Sequence, residues 1–235
     1  MEIANAFSNI QVNLSDLQIE QLNKYYELLV EKNKVMNLTT IVDYDDVIIK
    51  HFLDSALICK AVDIDNVNTV IDVGTGAGFP GLVLKIVFPK LKITLLDSLN
   101  KRIKFLDEVI ECLNLENIET IHSRAEDAGM NVLYREKFDM CVSRAVANLS
   151  SLSEYCIPFI KRNGYFVSYK ADGCDEEINS SKRAIAILGC EIENVVDVNL
   201  PETDIVRKFI LIHKITNTSK KYPRKAGLPT KEPLN

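Results

Sequence analysis

The sequence lacks the features of a membrane or exported protein. It has no run of roughly 18 or more apolar residues, the length that a membrane-spanning helix needs. Residues 1–5 have neither the basic flank nor the apolar stretch of a signal peptide. The 235 residues are 47% hydrophobic and 26% charged, as in an ordinary globular protein. We therefore expect a cytoplasmic protein without a membrane partner, and because nothing indicates an obligate assembly, we expect a monomer.

Metal-binding and redox motifs are also missing. The six cysteines lie at least 15 residues apart, so no C-x-x-C pair occurs. The three histidines show no H-E-x-x-H pattern. We expect free thiols and no metal site.

Basic residues are few overall but concentrated at the C-terminal end. The formal net charge is −5, yet six basic residues follow residue 213, against the single acid Glu232. These basic residues are Lys214, Lys220, Lys221, Arg224, Lys225 and Lys231. A basic tail on an acidic body is typical of an arm that contacts phosphates. A solvated, disordered terminus fits the charge equally well.

Two patterns of apolar residues divide the chain. Up to residue 62, apolar stripes at helical spacing predict helices, one of them opened by a capping box of Ser15 and Gln18. Short apolar runs then alternate with helical stretches, which predicts an α/β protein with a parallel sheet covered by helices on both faces. The predicted strands span residues 69–73, 92–96, 118–121, 138–142, 165–169, 193–200 and 208–213, and the helices between them residues 81–88, 99–113, 149–160 and 176–188.

The last two strands have no helix between them, so they should form an antiparallel hairpin at the sheet edge. This organisation gives a helical extension over residues 1–62, an α/β core over residues 63–215 and a basic tail over residues 216–235.

A glycine-rich loop follows the first predicted strand. Gly74, Gly76 and Gly78 alternate there, and such a loop lets a ligand approach the main chain at the carboxyl end of the strand. The loop also contains a G-x-G-x-x-G match, which is the fingerprint of dinucleotide binding. Asp72 precedes the glycines, however, where a pyrophosphate has no use for a carboxylate. A nucleoside that carries an amino acid fits better.

S-adenosylmethionine is such a nucleoside. Asp72 would hold its ammonium group, and Asp97, 23 residues after Gly74 and next to Ser98, would accept hydrogen bonds from the ribose hydroxyls. The alternative is a tight turn with two helix-capping acids. After the third strand, Ala125 and Glu126 either border the adenine or begin a helix that has acids in its first turn.

The fourth strand ends at Arg144, where a methyl acceptor would lie. The sequence has neither the Asx-Pro-Pro-aromatic turn of exocyclic amine methylation nor an exposed cysteine for C5 methylation of a pyrimidine. A target with an in-plane lone pair, such as guanine N7, needs neither device. Arg144 could orient the cofactor or hold a guanine edge, or it could simply pair with a nearby acid.

Several motifs together resemble one family, the bacterial small-subunit ribosomal RNA guanine-N7 methyltransferases, also called the glucose-inhibited division protein B family. The motifs are the loop at residues 72–81, Leu-Leu-Asp-Ser at 95–98 with Lys101 and Arg102, Val-Ser-Arg-Ala at 142–145, Asn-Leu-Thr at 37–39, His-Phe-Leu-Asp-Ser at 51–55 and the tail at 222–229. The resemblance covers nearly the whole chain. It implies a Rossmann-like class I S-adenosylmethionine-dependent methyltransferase fold, with a mostly parallel seven-stranded sheet.

The resemblance also implies a substrate and a site. S-adenosylmethionine would be the methyl donor, S-adenosylhomocysteine the product, and N7 of one guanine in the decoding-region loop of 16S ribosomal RNA the acceptor. The cofactor contacts would come from Asp72, Gly74, Gly76, Gly78, Phe79, Asp97, Ser98, Ala125, Glu126 and Arg144, with Arg144 also catalytic. RNA or the small ribosomal subunit would contact Arg144, Lys170, Lys101, Arg102, Arg124, Lys221, Arg224 and Lys225.

Two other functions stay open from the residues alone. One is an NAD-dependent oxidoreductase, which the G-x-G-x-x-G match permits. The other is a nucleotide-binding module without chemistry that docks on RNA through its tail.

Overall fold

A seven-stranded sheet forms the centre of the protein in a computed structural model that describes residues 2–145 and 147–234. The strands are β1 (Thr69–Val73), β2 (Lys92–Asp97), β3 (Ile118–His122), β4 (Phe138–Ser143), β5 (Ile160–Ala171), β6 (Cys190–Asn199) and β7 (Val206–Lys214). Their order is β3-β2-β1-β4-β5-β7-β6. Strands β1 to β5 pair in parallel, whereas β7 is antiparallel to both β5 and β6. The prediction of a mostly parallel sheet with an antiparallel edge hairpin is confirmed.

The helices lie before the first strand, between the strands and, in one case, after the last strand. They are α1 (Ile3–Ser8), α2 (Asp16–Met36), α3 (Tyr44–Val47), α4 (Asp54–Ala56), α5 (Gly81–Val87), α6 (Asn100–Cys112), α7 (Ala125–Met130), α8 (Leu149–Cys156), α9 (Asp175–Ile187) and α10 (Leu228–Lys231). A π-helical segment, Ile48–Leu53, joins α3 to α4. Segments of this kind are rare and are frequent at functional sites.

The N-terminal helices pack directly on the core. Ser15 caps α2, and Gln18 completes the predicted capping box. The apolar stripe of α2 buries Leu22, Tyr25 and Leu29 in the same hydrophobic cluster that contains residues of β1, α5 and β2. Burial of this apolar stripe fixes α2 against α5, the helix that follows the glycine loop. The division of the chain into regions at residue 62 stays a prediction.

The chain after β7 folds back over the core, so a solvated terminus is not what the structure shows. The Arg135 guanidinium donates to the backbone carbonyls of Thr218 (2.7 Å), Ser219 (3.1 Å) and Tyr222 (2.8 Å). Thr218 also donates its hydroxyl to the Leu188 carbonyl, at 2.8 Å. These bonds hold the start of the basic tail against the core, and the tail continues along α7 and α8.

The cysteines of the described residues are free thiols, and three of the six are buried. In the part of the chain that the structure describes, no group of three or more side chains is placed to hold a metal ion. No helix within those described ranges is long and apolar enough to cross a membrane.

Candidate functional site

A cleft of about 580 Å³ lies at the carboxyl ends of β1, β2 and β3. This volume lies within the usual range of small-molecule sites, and in open α/β sheets ligands bind at this edge. The cleft is lined by Val73, Gly74, Leu96, Asp97, Ser98, Arg102, Ser123, Arg124, Ala125, Glu126, Ala145, Ala147, Leu152, Tyr155, Ala226 and Gly227.

Only the first glycine of the loop borders the cleft. The backbone N–H of Gly74 donates to the Leu96 carbonyl at 2.9 Å, which ties the start of the loop to the end of β2. A Cβ at Gly78 would lie 2.4 Å from Leu82 and 2.6 Å from the Tyr25 hydroxyl. Gly78 therefore allows α2 to pack against the loop, and the structure does not support its expected contact with the cofactor.

Asp97 closes β2 and lines the cleft as the sequence predicts. Its Oδ2 accepts the backbone N–H of Gly76 at 3.0 Å and a guanidinium N–H of Arg102 at 3.2 Å, while Oδ1 accepts the N–H of Leu99 at 2.9 Å. These bonds fix the orientation of a carboxylate that is only 2% exposed. Gly76 thus acts on the site through Asp97. Because a carboxylate has about four lone-pair sites, Asp97 can still accept bonds from a ligand.

Asp72 lies beneath the loop, outside the cleft lining. Its side chain is fully buried, and Oδ2 accepts the N–H of Gly81 at 2.8 Å, at the start of α5. Burial raises the pKa of Asp72 to about 6. The hydrogen bonds from Thr75 and Gly81 lower this pKa, but the effect of burial is larger. The bond from Gly81 shows the helix-capping alternative for Asp72 Oδ2, while Oδ1 is buried without a hydrogen-bond partner among the described residues. The contact of Asp72 with an ammonium group stays a prediction.

The opposite wall of the cleft begins after β3. Ser98, Ala125 and Glu126 border the cleft. Ala125 also begins α7, which has Glu126 in its first turn, so the helix interpretation is observed and the contact with adenine stays a prediction. Glu126 Oε1 accepts the backbone N–H of Gly227 at 2.9 Å. This contact brings the tail into the site, which charge alone did not indicate.

Arg144 lies beside the first cleft rather than in its lining. It borders a second cleft of about 570 Å³, together with Tyr169, Lys170 and Arg207. Ala145 lines both clefts, so the two share the wall that follows β4. A methyl donor in the first cleft and an acceptor in the second would meet at this wall.

A buried carboxylate holds Arg144 in place. Asp54, with no exposed surface, accepts from Arg144 Nη1 at 2.7 Å and from Arg207 Nε at 2.7 Å. Arg144 Nη1 also donates to the Lys50 carbonyl at 3.3 Å. The acid-paired alternative for Arg144 is thus observed. Asp54 and Arg207 were missed as site residues, although Asp54 lies in the His-Phe-Leu-Asp-Ser motif.

Phe79 and His51 stack beneath Arg144. Their ring centroids are 4.5 Å apart, and the Arg144 guanidinium carbon lies 5.1 Å from the Phe79 centroid. Burial and the Arg144 charge lower the pKa of His51 to about 4. Phe79 is 7% exposed and does not line the first cleft. Phe79 lies against Arg144, and its expected contact with the cofactor stays a prediction.

Two of the expected RNA contacts are internal. Lys170 is 9% exposed and donates to the Ala147 carbonyl at 2.7 Å and to Glu177 at 2.8 Å. Arg224 pairs with Glu154, whose side chain has no exposed surface. Both side chains are paired with acids, although Arg224 is only half-buried, and their contact with RNA stays a prediction.

The other basic candidates are accessible. Lys101, Lys221 and Lys225 are exposed, and Arg102 and Arg124 lie at the rim of the first cleft. Five of the eight basic candidates therefore remain open to a phosphate backbone.

Solved structures with the same architecture define the class of protein. The S-adenosylmethionine-dependent methyltransferase SibL has a TM-score of 0.55 at 14% identity, covering 70% of this chain and 55% of that chain. M. jannaschii TYW2 in complex with AdoMet has a TM-score of 0.52 at 18% identity, covering 64% of this chain and 71% of that chain. The fold is that of the S-adenosylmethionine-dependent methyltransferases.

The family follows from closer relatives. Residues 18–206 match the family model described as GidB, rRNA small subunit methyltransferase G. Ribosomal RNA small subunit methyltransferase G of Acetivibrio thermocellus is 52% identical over 97% of this chain and 93% of its own. That of Bacillus subtilis is 48% identical over 99% of this chain and 98% of its own. The chain belongs to the rRNA small subunit methyltransferase G family, which confirms the resemblance noted in the sequence.

Proposed function

We propose that this methyltransferase transfers a methyl group from S-adenosylmethionine to N7 of one guanine in the decoding-region loop of 16S ribosomal RNA. The observation that carries the proposal is the pair of clefts that meet at Ala145 in a chain of this family. The names of the relatives specify ribosomal RNA of the small subunit. We also propose that the protein acts in the cytoplasm as a monomer.

The first cleft has the donor set that S-adenosylmethionine requires. Asp97 offers a fixed carboxylate to the ribose hydroxyls, and Glu126 offers a carboxylate beside Ala125 for an adenine amine. Leu152 adds an apolar surface for a ring. The backbone of Gly74 borders the cleft, so a ligand can approach the main chain there. These residues fit the cofactor, and the contact of Asp72 with its ammonium group stays a prediction.

The reaction requires the protein mainly to position the methyl donor and the acceptor. Bound S-adenosylmethionine supplies an activated methyl group on its sulfonium, and guanine N7 carries no proton, so the reaction needs no general base. Holding two reactants in line can lower a barrier by about 7–11 kcal/mol. Arg144 suits this task because Asp54, His51 and the Lys50 carbonyl fix its guanidinium before the substrate arrives.

The proposal is tested with labelled S-adenosylmethionine and small ribosomal subunits from cells that lack the enzyme. We expect one labelled 7-methylguanine in the decoding-region loop when the modified nucleotide is mapped by mass spectrometry. Free 16S ribosomal RNA, assayed in parallel, shows which form is the substrate. Label at another base would overturn the assignment to N7. The absence of label from RNA would favour the alternative that the protein is a binding module without chemistry.

Arg144→Ala tests the positioning role. The variant should lower kcat by at least roughly 100-fold, because a misplaced reactant costs about that much, while the dissociation constant for S-adenosylmethionine changes little. The matched control is Arg162→Ala, an exposed arginine on β5 that lines neither of the two clefts. Isothermal titration and single-turnover kinetics separate the two effects. Normal turnover of the Arg144 variant would remove Arg144 from the site.

A further inference from the structure

The segment from Tyr222 to Lys231 is fastened to the core by a buried ion pair. The Glu154 carboxylate on α8 accepts from Arg224 Nε (2.9 and 3.1 Å), from Arg224 Nη2 (2.7 Å) and from the Arg224 backbone N–H (2.7 Å). Glu154 has no exposed surface. A buried carboxylate is tolerated only when it is paired and hydrogen-bonded. The docked segment therefore supplies the partner that the buried Glu154 carboxylate needs.

Three more contacts bring the segment to the first cleft. The Ser151 hydroxyl donates to the Pro229 carbonyl at 2.8 Å, and the Tyr155 and Thr230 hydroxyls lie 2.7 Å apart. Gly227 donates its backbone N–H to Glu126 at 2.9 Å. Tyr155 and Glu126 both line the cleft, as Ala226 and Gly227 do.

Gly227 is suited to this position by its backbone. Its φ is +81°, a conformation that residues with a Cβ rarely adopt. The turn aims its N–H at Glu126, and an acceptor that is already bonded has a fixed orientation. One Glu126 oxygen is thus occupied by the tail, which fixes how the carboxylate faces the cleft.

We propose that the segment 222–231 is a part of the cofactor site, forming the outer wall of the first cleft and positioning Glu126 and Tyr155 for the adenosine end of S-adenosylmethionine. The inference rests on the proposed use of that cofactor and adds a binding element to it. It also gives the basic tail a role beyond phosphate contact, since Arg224 is used for anchoring.

Docking of the segment and binding of the cofactor should each favour the other, so their coupling can be measured from either event. If the docked segment improves cofactor binding by some factor, then cofactor binding must favour docking by the same factor. Coupling free energies between sites typically correspond to about 5- to 150-fold in affinity. Undocking the segment should weaken S-adenosylmethionine binding within that range, and added cofactor should slow hydrogen exchange of the Gly227 amide.

The test uses the full chain with Glu154→Gln and Arg224→Gln combined. The double variant removes both charges at once, because Arg224→Gln alone would leave the Glu154 carboxylate buried without its partner. The matched control is Asp139→Asn, which perturbs a carboxylate bonded to Thr69 and Lys161 at the opposite end of the sheet. Titration calorimetry gives the dissociation constant for S-adenosylmethionine, and thermal unfolding gives the stability of each variant.

We expect the double variant to bind S-adenosylmethionine at least about 10-fold more weakly, within the range of such coupling. Asp139→Asn should lower the unfolding temperature and keep the wild-type affinity. Wild-type affinity in the double variant, or exchange at Gly227 that the cofactor does not slow, overturns the inference and leaves the proposed function intact. A wild-type protein that does not bind S-adenosylmethionine would overturn both.

Discussion

Two buried ionisable side chains close to Arg144 respond to pH in opposite directions. Burial and the Arg144 charge lower the pKa of His51 to about 4, and burial raises the pKa of Asp72 to about 6. Between about pH 4 and 6.5 the unfolded chain binds more protons at His51, so His51 makes the protein more stable as the pH rises. Between about pH 4 and 6 the folded chain binds more protons at Asp72, so Asp72 makes it less stable as the pH rises. The two effects are each of the order of 3 kcal/mol and largely cancel.

Single substitutions should separate these opposing effects. Relative to wild type, Asp72→Asn should become more stable as the pH rises from 4 to 6. The substitution removes the Asp72 contribution to stability, which falls as the pH rises, and keeps the His51 contribution, which increases. His51→Gln should lose stability relative to wild type over pH 4 to 6.5. Urea unfolding at several pH values measures both. Parallel pH profiles for wild type and Asp72→Asn would show that Asp72 is not protonated in this range.

Spacing along the chain predicted which acids lie at the cleft, but it did not reveal contacts that depend on tertiary packing. Asp97 is the last residue of β2, and Glu126 lies on the helix that follows β3. The carboxyl ends of parallel strands meet at one sheet edge, so the place of both residues in the cleft was predictable. Asp72 is inside a strand, and its side chain faces α5 rather than the cleft. The Asp54 to Arg144 pair spans 90 residues, a contact that no local pattern encodes.

At the scale of elements, Gln18 connects two helices. Its side-chain Oε1 completes the capping box of α2, and its Nε2 donates to the carbonyls of Ile86 (2.8 Å) and Val87 (3.0 Å) at the end of α5. The carbonyls at the end of a helix have no partner within that helix. Gln18 thus fixes the helix that follows the glycine loop.

Gln18→Glu should destabilise the protein by about 1–3 kcal/mol, because two partly buried carbonyls lose their donor while the capping acceptor is kept. The negative charge beside the C-terminus of α5 adds to the loss. Ser15→Ala, the matched control, removes the cap and should cost about 1 kcal/mol. Urea unfolding compares them. A loss for Gln18→Glu no larger than that for Ser15→Ala would limit Gln18 to its capping role.

Element positions were predictable where apolar periodicity was long. All seven strands occur where the sequence predicts them, and β1 agrees at both ends. The largest difference is in β5, which begins at Ile160, five residues before the predicted start. The predicted helix over residues 149–160 ends earlier, at Cys156, because Pro158 follows and the chain continues as a 3₁₀ turn, Ile157–Phe159. The short helices α1 and α10 have too few residues for a period to be recognised, and tertiary contacts hold them.

For the molecule as a whole, cofactor binding should appear as thermal stabilisation. A ligand at 100 times its dissociation constant adds about 2.7 kcal/mol, which for a chain of this size raises the Tm by roughly 5–10 °C. We expect this shift with S-adenosylmethionine and S-adenosylhomocysteine, and none with NAD. Differential scanning calorimetry measures it. A comparable shift with NAD alone would favour the oxidoreductase alternative.

Part of the basic charge at the C-terminal end is paired inside the fold, so less of it is available to contact RNA. Of the six basic side chains that follow residue 213, two are neutralised inside the fold: Lys214, at the end of β7, by Glu136, and Arg224, in the tail, by Glu154. Four exposed lysines remain, Lys220, Lys221, Lys225 and Lys231. Each contact with a duplex phosphate releases about 0.9 condensed counterions, so this arm can account for no more than about 3.6 of the ions that RNA binding sets free. A steeper dependence on ionic strength would have to come from basic residues outside the tail, such as Lys101 on the surface and Arg102 and Arg124 at the rim of the first cleft.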